Sequence, residues 1–176
     1  MKKKLDPAFF DRVAHVVAKD LLGKFLVRKI DGREVAVMIT EVEAYAGPED
    51  LASHARFGKT ARTTPMFGPP GTIYIFFTYG MHWMLNIACG NAGEPSAVLI
   101  RGVEGFSGPA RLTKFLGIDK NMNGKLLGRD AGLWIEDRGV ALAPSNIVKT
   151  PRIGIAYAWK WVSKPWRFVL RKRAPK

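Results

Sequence analysis

Cysteine is almost missing from this chain: its 176 residues include only Cys89. An internal disulfide is thereby excluded, and so is a zinc site built on several thiolates. Long apolar runs are missing as well, because no stretch reaches the ~18 residues that a membrane-spanning helix needs. No apolar leader follows Met1-Lys2-Lys3-Lys4, so neither secretion nor membrane insertion is expected, and a cytoplasmic location is. His15, His54 and His82 share no metal-ligand spacing. The Gly-Lys-Ser/Thr phosphate loop, the Gly-x-Ser-x-Gly elbow and the zinc-deaminase pattern are all missing, which excludes three large enzyme classes. Nothing in the sequence asks for a metal or a cofactor. Acidic residues are scarce too: 15 against 28 Lys and Arg, a net charge of +13. From Arg138 to Lys176 there is none at all.

That imbalance suits a polyanionic partner such as nucleic acid. In the acid-free stretch the basic residues alternate with Trp159, Trp161, Trp166 and Phe168. Two readings fit it: a solvated basic tail with core tryptophans, or a surface that contacts phosphates.

Apolar residues make up 47% of the chain and charged residues 24%, the profile of a folded globular protein. The length suits one domain over residues 1–176, the basic segment 138–176 included. Asp6-Pro7 is a helix start, and Phe9, Phe10, Val13, Val16, Val17 and Leu21 continue at helical spacing to Gly23. Asp31-Gly32 predicts a hairpin between strands at 24–30 and 33–45. A long Gly- and Pro-containing stretch runs from Gly47 to Gly71, and loops of that length are commonly functional. Strands are predicted at 72–79, 83–89, 97–103, 133–136, 153–156 and 168–170, with a short helix from Pro109 to Leu116. The expected fold is α+β: a single domain with a curved, mostly antiparallel β-sheet surrounded by short α-helices.

Two segments carry candidate chemistry. In the run Val35 to Tyr45 the strand period of two places Glu41, Glu43 and Tyr45 on one face, behind Val35, Val37 and Ile39. Carboxylates at the end of an apolar stripe are costly unless paired, hydrated or functional. The two Cα atoms would lie ~7 Å apart on an extended strand, a separation usable in glycosidic hydrolysis, where one carboxylate activates water. Ion pairs with Lys or Arg account for the same pattern. In the second segment Tyr74, Phe76 and Thr78 alternate with Ile75, Phe77 and Tyr79, ahead of Gly80. A turn there displays Tyr79, Met81 and His82, the arrangement of an aromatic wedge for the minor groove. An ordinary core strand would show the same alternation.

Several of these residues also carry a family resemblance. The run Glu41-Val42-Glu43-Ala44-Tyr45-Ala46-Gly47-Pro48-Glu49-Asp50, followed by Ala52-Ser53-His54, resembles the signature of the alkyladenine (3-methyladenine) DNA glycosylases. Further matching blocks are Met66-Phe67, Pro70 to Tyr74, Tyr79-Gly80-Met81, Asn86, Leu99-Ile100-Arg101 and Gly108 to Leu112. The resemblance runs in order from about Gly23 to Phe168. It implies a single-domain enzyme, without metal or cofactor, that removes damaged purines from double-stranded DNA; a monomer is the default expectation.

Residue by residue, the resemblance makes Glu43 the base that activates water, with Arg101 holding that water and the carboxylate. It makes Tyr45, His54 and Phe76 the walls of the pocket for a flipped base, and Asn86 a guard against the 2-amino group of guanine. Tyr79 would fill the gap in the duplex, with Met81 and His82 in the minor groove. Arg56, Lys114, Lys160 and Arg171 are candidate phosphate contacts. Mammalian members carry Tyr where this chain has Phe76, so the ring is kept and the hydroxyl is gone; His82 likewise replaces a Tyr. The short stretch from Arg101 to Gly108 implies a minimal, bacterial form, associated with the nucleoid. The same charge and aromatics also fit a non-catalytic nucleic-acid-binding β-domain, and the expected sheet also fits an RNA- or tRNA-modifying domain, which does not account for the Glu43–Tyr45–His54 run.

Overall fold

The structure, a computed structural model, describes residues 2–171; the last five residues of the basic C-terminal segment lie outside it. In chain order the strands are β1 (Lys3–Lys4), β2 (Phe25–Ile30), β3 (Arg33–Tyr45), β4 (Ile73–Thr78), β5 (His82–Cys89), β6 (Ser96–Val103), β7 (Phe106–Ser107), β8 (Leu133–Asp137), β9 (Ile147–Thr150) and β10 (Arg167–Leu170). The main path through the sheet is β1-β8-β2-β3-β6-β5-β4. β10 adds to β3 and carries β9, and β7 adds to β6. Every strand pairing is antiparallel. The fold is α+β, with an open sheet and few helices.

Asp31 and Gly32 take φ of 48° and 80°, as the expected tight hairpin between β2 and β3 requires. The N-terminal helical run divides in two, α1 (Pro7–Phe10) and α2 (Ala14–Leu21). Asp6 caps α1 by accepting the Phe9 N–H at 3.2 Å. Between the helices Arg12 turns its Nε back to the Phe9 carbonyl (2.9 Å), and Val13 is exposed. The apolar spacing in the sequence therefore continued across a break. Val17, Ala18 and Leu21 of α2 pack on Ile39, Val42, Ile87 and Ile100 of the sheet. The short helix α3 (Pro109–Phe115) contributes Leu112 to the same core. Cys89 is buried there, and burial pushes its thiol up to about 12.

One irregularity decides which way β3 faces. Ile39 pairs with Val103, but Glu41 pairs with Gly102 and Val42 with Ile100, so the ladder slips on both strands within a few residues. Ile39 and Val103 lie in the main core on one side of the slip; Val42, Ala44, Ile100 and Val98 lie in it on the other. Strict alternation predicted that Glu41, Glu43 and Tyr45 continue the face of Val35, Val37 and Ile39. The slip reverses that part of the expectation: the apolar stripe faces the core, and Glu43, Tyr45 and Arg101 turn away from it. Gly102 makes room, because a Cβ there would sit 3.1 Å from Glu41 Cβ.

Two further differences bear on the site. The expected strand at 153–156 does not form. Residues 151–155 make an irregular bend with Gly154 at φ 75°, Pro151 has no N–H to give a ladder, and the Ile153 N–H goes to Glu43 instead. The stretch Gly47 to Gly71 is ordered as two 3-10 turns, His54–Phe57 and Thr64–Phe67. Buried Thr63 ties it together, accepting the Thr60 N–H and donating to the Gly58 carbonyl, both at 2.8 Å.

Candidate active site

Glu43 lies in β3 between β6 and β10, paired with Leu99 on one side and Arg167 on the other. Its side chain is 0% exposed, and it accepts from three donors. The backbone N–H of Ile153 gives to Oε1 at 2.8 Å. The Tyr45 hydroxyl gives to Oε2 at 2.7 Å, and Arg101 Nη1 reaches the same oxygen at 3.3 Å. Arg101 also lies 3.3 Å from Glu41 through Nε, and Arg167 Nε donates to Glu41 at 2.6 Å. Both glutamates are thus ion-paired, and Arg101 joins them. Burial, then the charge and hydrogen bond of Glu43, raise the Tyr45 pKa well above its ordinary value. The phenol therefore stays protonated and remains a donor.

Tyr45, Arg101 and Ile153 separate Glu43 from a cavity of about 390 Å³, which they line together with His54, Tyr74, Phe76 and Asn86. Residues far apart in sequence thus meet around one space: Tyr45, His54, Phe76, Asn86 and Arg101 all border it. The face of β4 opposite the core supplies Tyr74 and Phe76, whose ring centroids are 5.4 Å apart. His54 sits edge-on to Phe76 at 4.6 Å, and its Nδ1 shares a 2.9 Å hydrogen bond with the Tyr74 hydroxyl. Burial lowers the His54 pKa to about 4, helped by Arg62 and Arg56. The ring is neutral at neutral pH, and its backbone N–H opens a 3-10 turn, where such groups have no intrahelical acceptor. Asn86 is buried, with Nδ2 donating to the Tyr74 and Met84 carbonyls at 3.2 and 3.3 Å.

The rim carries exposed groups. Tyr79 tips the β4–β5 hairpin with φ 51°, followed by Gly80 at 65°, and its side chain is 84% exposed. Met81 and His82 beside it are exposed too. Lys114, Lys160 and Arg171 face solvent. Arg56 is half-buried, with its guanidinium between the rings of Phe57 (4.4 Å) and Tyr157 (4.7 Å). Over its described residues, 138–171, the basic segment is neither a free tail nor a uniform outer surface. Arg138 pairs with Glu136, Arg167 with Glu41, and buried Arg152 with Asp50.

Sequence reasoning missed that last pair. Arg152 grips Asp50 through both terminal nitrogens, at 2.5 and 2.9 Å, and also donates to the Ala44 carbonyl at 2.9 Å. Its guanidinium lies over the Tyr45 ring at 4.8 Å. Asp50 accepts the N–H groups of Ala46 and Ala52 as well. The pair therefore fixes Tyr45 and the Ile153 amide, two of the three groups that hold Glu43. The role of the Tyr74 hydroxyl was missed too, although Tyr74 closes one of the matching blocks and shares a strand face with Phe76.

The chain matches the model of the methylpurine-DNA glycosylases over residues 8–107 and 104–174. It is 42% identical over 181 residues to an Anaeromyxobacter dehalogenans protein provisionally named 3-methyladenine DNA glycosylase, covering 97% of this chain and 85% of that one. A Methanocella arvoryzae protein of the same provisional name is 39% identical over 193 residues, 95% of each chain. The DNA-3-methyladenine glycosylase of Mus musculus is 36% identical over 199 residues, 96% of this chain and 59% of the mouse protein. The protein is accordingly a monofunctional DNA glycosylase, a repair enzyme whose substrate is damaged DNA. Within that class, the chain belongs to the methylpurine-DNA glycosylase family. Among the described residues no helix is long and apolar enough to cross a membrane.

Proposed function

We propose that the enzyme rotates an alkylated or deaminated purine out of double-stranded DNA into the cavity and hydrolyses its N-glycosidic bond with water activated by Glu43. The substrates are 3-methyladenine, 7-methylguanine, hypoxanthine and ethenoadenine. The observation that carries this reading is the Glu43 carboxylate, fully buried directly behind the cavity wall and held by Arg101, Tyr45 and Ile153.

Such a carboxylate suits the chemistry. Breaking the bond develops positive charge on the deoxyribose, which a fixed negative charge stabilises. The water oxygen forms a bond to C1′, the base leaves with the glycosidic electron pair, and Glu43 takes the water proton. An abasic site remains. A purine methylated at N3 or N7 is already cationic, and the faces of Tyr45 and Phe76 favour it by ~1–2 kcal/mol once water is excluded. His54 reads the base edge through its backbone N–H, and Asn86 disfavours normal guanine by steric conflict with its 2-amino group, a cost that cationic 7-methylguanine offsets because its base leaves readily. Flipping costs least for a damaged or mispaired base, which adds selectivity.

Tyr79 supports the same reading. A bulky residue at positive φ with an exposed ring is unfavourable in the free protein, and filling the gap left by the flipped nucleotide gives that arrangement a use. Met81 and His82 lie in the minor groove, and Lys114, Lys160, Arg171 and Arg56 contact phosphates. The expected form is a monomer.

The test is single-turnover release of hypoxanthine from a duplex by wild type and Glu43→Gln. Loss of general-base help lowers the rate by about 10²–10⁴-fold, while duplex binding persists. Equal rates would remove Glu43 from the mechanism.

A further inference from the structure

Three non-glycine residues among those described have positive φ: Asp31, Tyr79 and Trp159. The first two sit in hairpin turns that demand it. Trp159 does not: it takes φ 50° and ψ −122° inside the 3-10 segment Ala156–Trp161, a conformation that glycine enters freely and a bulky L-residue only under strain. Its indole is also 81% exposed. Strain and exposed apolar surface both count against this residue in the free protein.

The surroundings hold the strained turn in place. Ala158 is fully buried with Ala52 and Ile155, and the Trp159 carbonyl accepts the Val162 N–H at 3.0 Å. Two residues before it, Tyr157 lines the cavity and packs under the Arg56 guanidinium. Lys160 follows, exposed, in a segment that carries no acidic residue. An exposed indole beside a lysine, on a segment that borders the cavity, has the composition of a base-stacking and phosphate-contacting element.

We propose that Trp159 is a second DNA contact of this enzyme, stacking on a base that flanks the damaged nucleotide while Lys160 meets the adjoining phosphate. Its segment borders the cavity through Ile155 and Tyr157, apart from the hairpin that carries Tyr79, so the flipped site is gripped from two segments. The inference rests on the duplex-binding reading above, and the strain of the turn is repaid only when DNA is bound.

The experiment compares wild type, Trp159→Gly and Trp159→Phe on a duplex carrying a tetrahydrofuran abasic-site analogue and on the hypoxanthine duplex. Glycine suits the backbone angle, so Trp159→Gly is expected to melt no lower than wild type. Its affinity for the abasic duplex should fall roughly tenfold or more, the worth of one stacked base. Its single-turnover rate at sub-saturating enzyme should fall by a similar factor. Trp159→Phe keeps a ring and should hold affinity within about threefold. Wild-type affinity in Trp159→Gly, while wild type binds and excises, overturns the inference and leaves duplex binding intact. A lowered melting temperature in Trp159→Gly overturns the strain argument on which it stands. Absence of duplex binding by wild type overturns the underlying reading and this inference with it.

Discussion

His54 is neutral because burial and two guanidiniums all oppose its imidazolium form. Its folded pKa of about 4 lies below the ordinary 6.5, so between those values the unfolded chain binds the proton more readily. The stability this contributes is complete above about pH 6.5 and is lost as pH falls toward 4. With the partial exposure of the ring allowed for, the loss is on the order of 1–2 kcal/mol. Melting curves across that window should show it, His54→Gln should flatten it, and a proton NMR titration should place the His54 midpoint near pH 4. The residues bordering the cavity differ in how visible they were. Tyr45, His54, Tyr74, Asn86 and Arg101 stand in recognisable blocks of sequence, and Phe76 shares a strand face with Tyr74. The Ile153 amide and the Arg152–Asp50 pair reach their partners across 110 and 102 residues, and neither leaves a local pattern. A backbone N–H has no letter of its own.

Hairpin signals in the sequence were reliable because a two-residue turn such as Asp31-Gly32 is decided by the φ of its own residues. Face assignments along β3 were not, because a ladder slip depends on the partner strand. The slip between β3 and β6 needs Gly102, where a Cβ would come within 3.1 Å of Glu41 Cβ and 3.4 Å of both Glu41 Oε2 and Thr40 Oγ1. Gly102→Ala should therefore destabilise the fold by about 1–3 kcal/mol, as overpacking does, measured by urea denaturation. Because Glu41 and Glu43 share Arg101, the displacement passes to the cavity, and the excision rate should fall with stability. A variant of full stability and full rate would show that the strands absorb a methyl there. The absent strand at 153–156 has a similar origin: its amide and its neighbour Arg152 are committed to tertiary partners, and those partnerships override local β preference.

The excess of 13 positive charges is divided between two uses. Arg138, Arg152 and Arg167 are spent on carboxylates inside the molecule, whereas Lys114, Lys160 and Arg171 remain in solvent. The sequence showed the sum and could not show the division, since paired and free arginines read alike. Duplex affinity should fall steeply with salt, and Lys114→Ala with Lys160→Ala should make the log–log slope shallower by about two. A slope unchanged in the double variant would put the phosphate contacts elsewhere. Cys89 has a different bearing on the whole protein. Methylated purines are made by electrophiles that attack protein nucleophiles as readily as DNA, and thiolate sulfur is foremost among those nucleophiles. The only thiol here is enclosed in the core and kept in its protonated form. Such agents therefore find no thiol on the surface of the folded enzyme, so thiol alkylation is not a route by which they inactivate it.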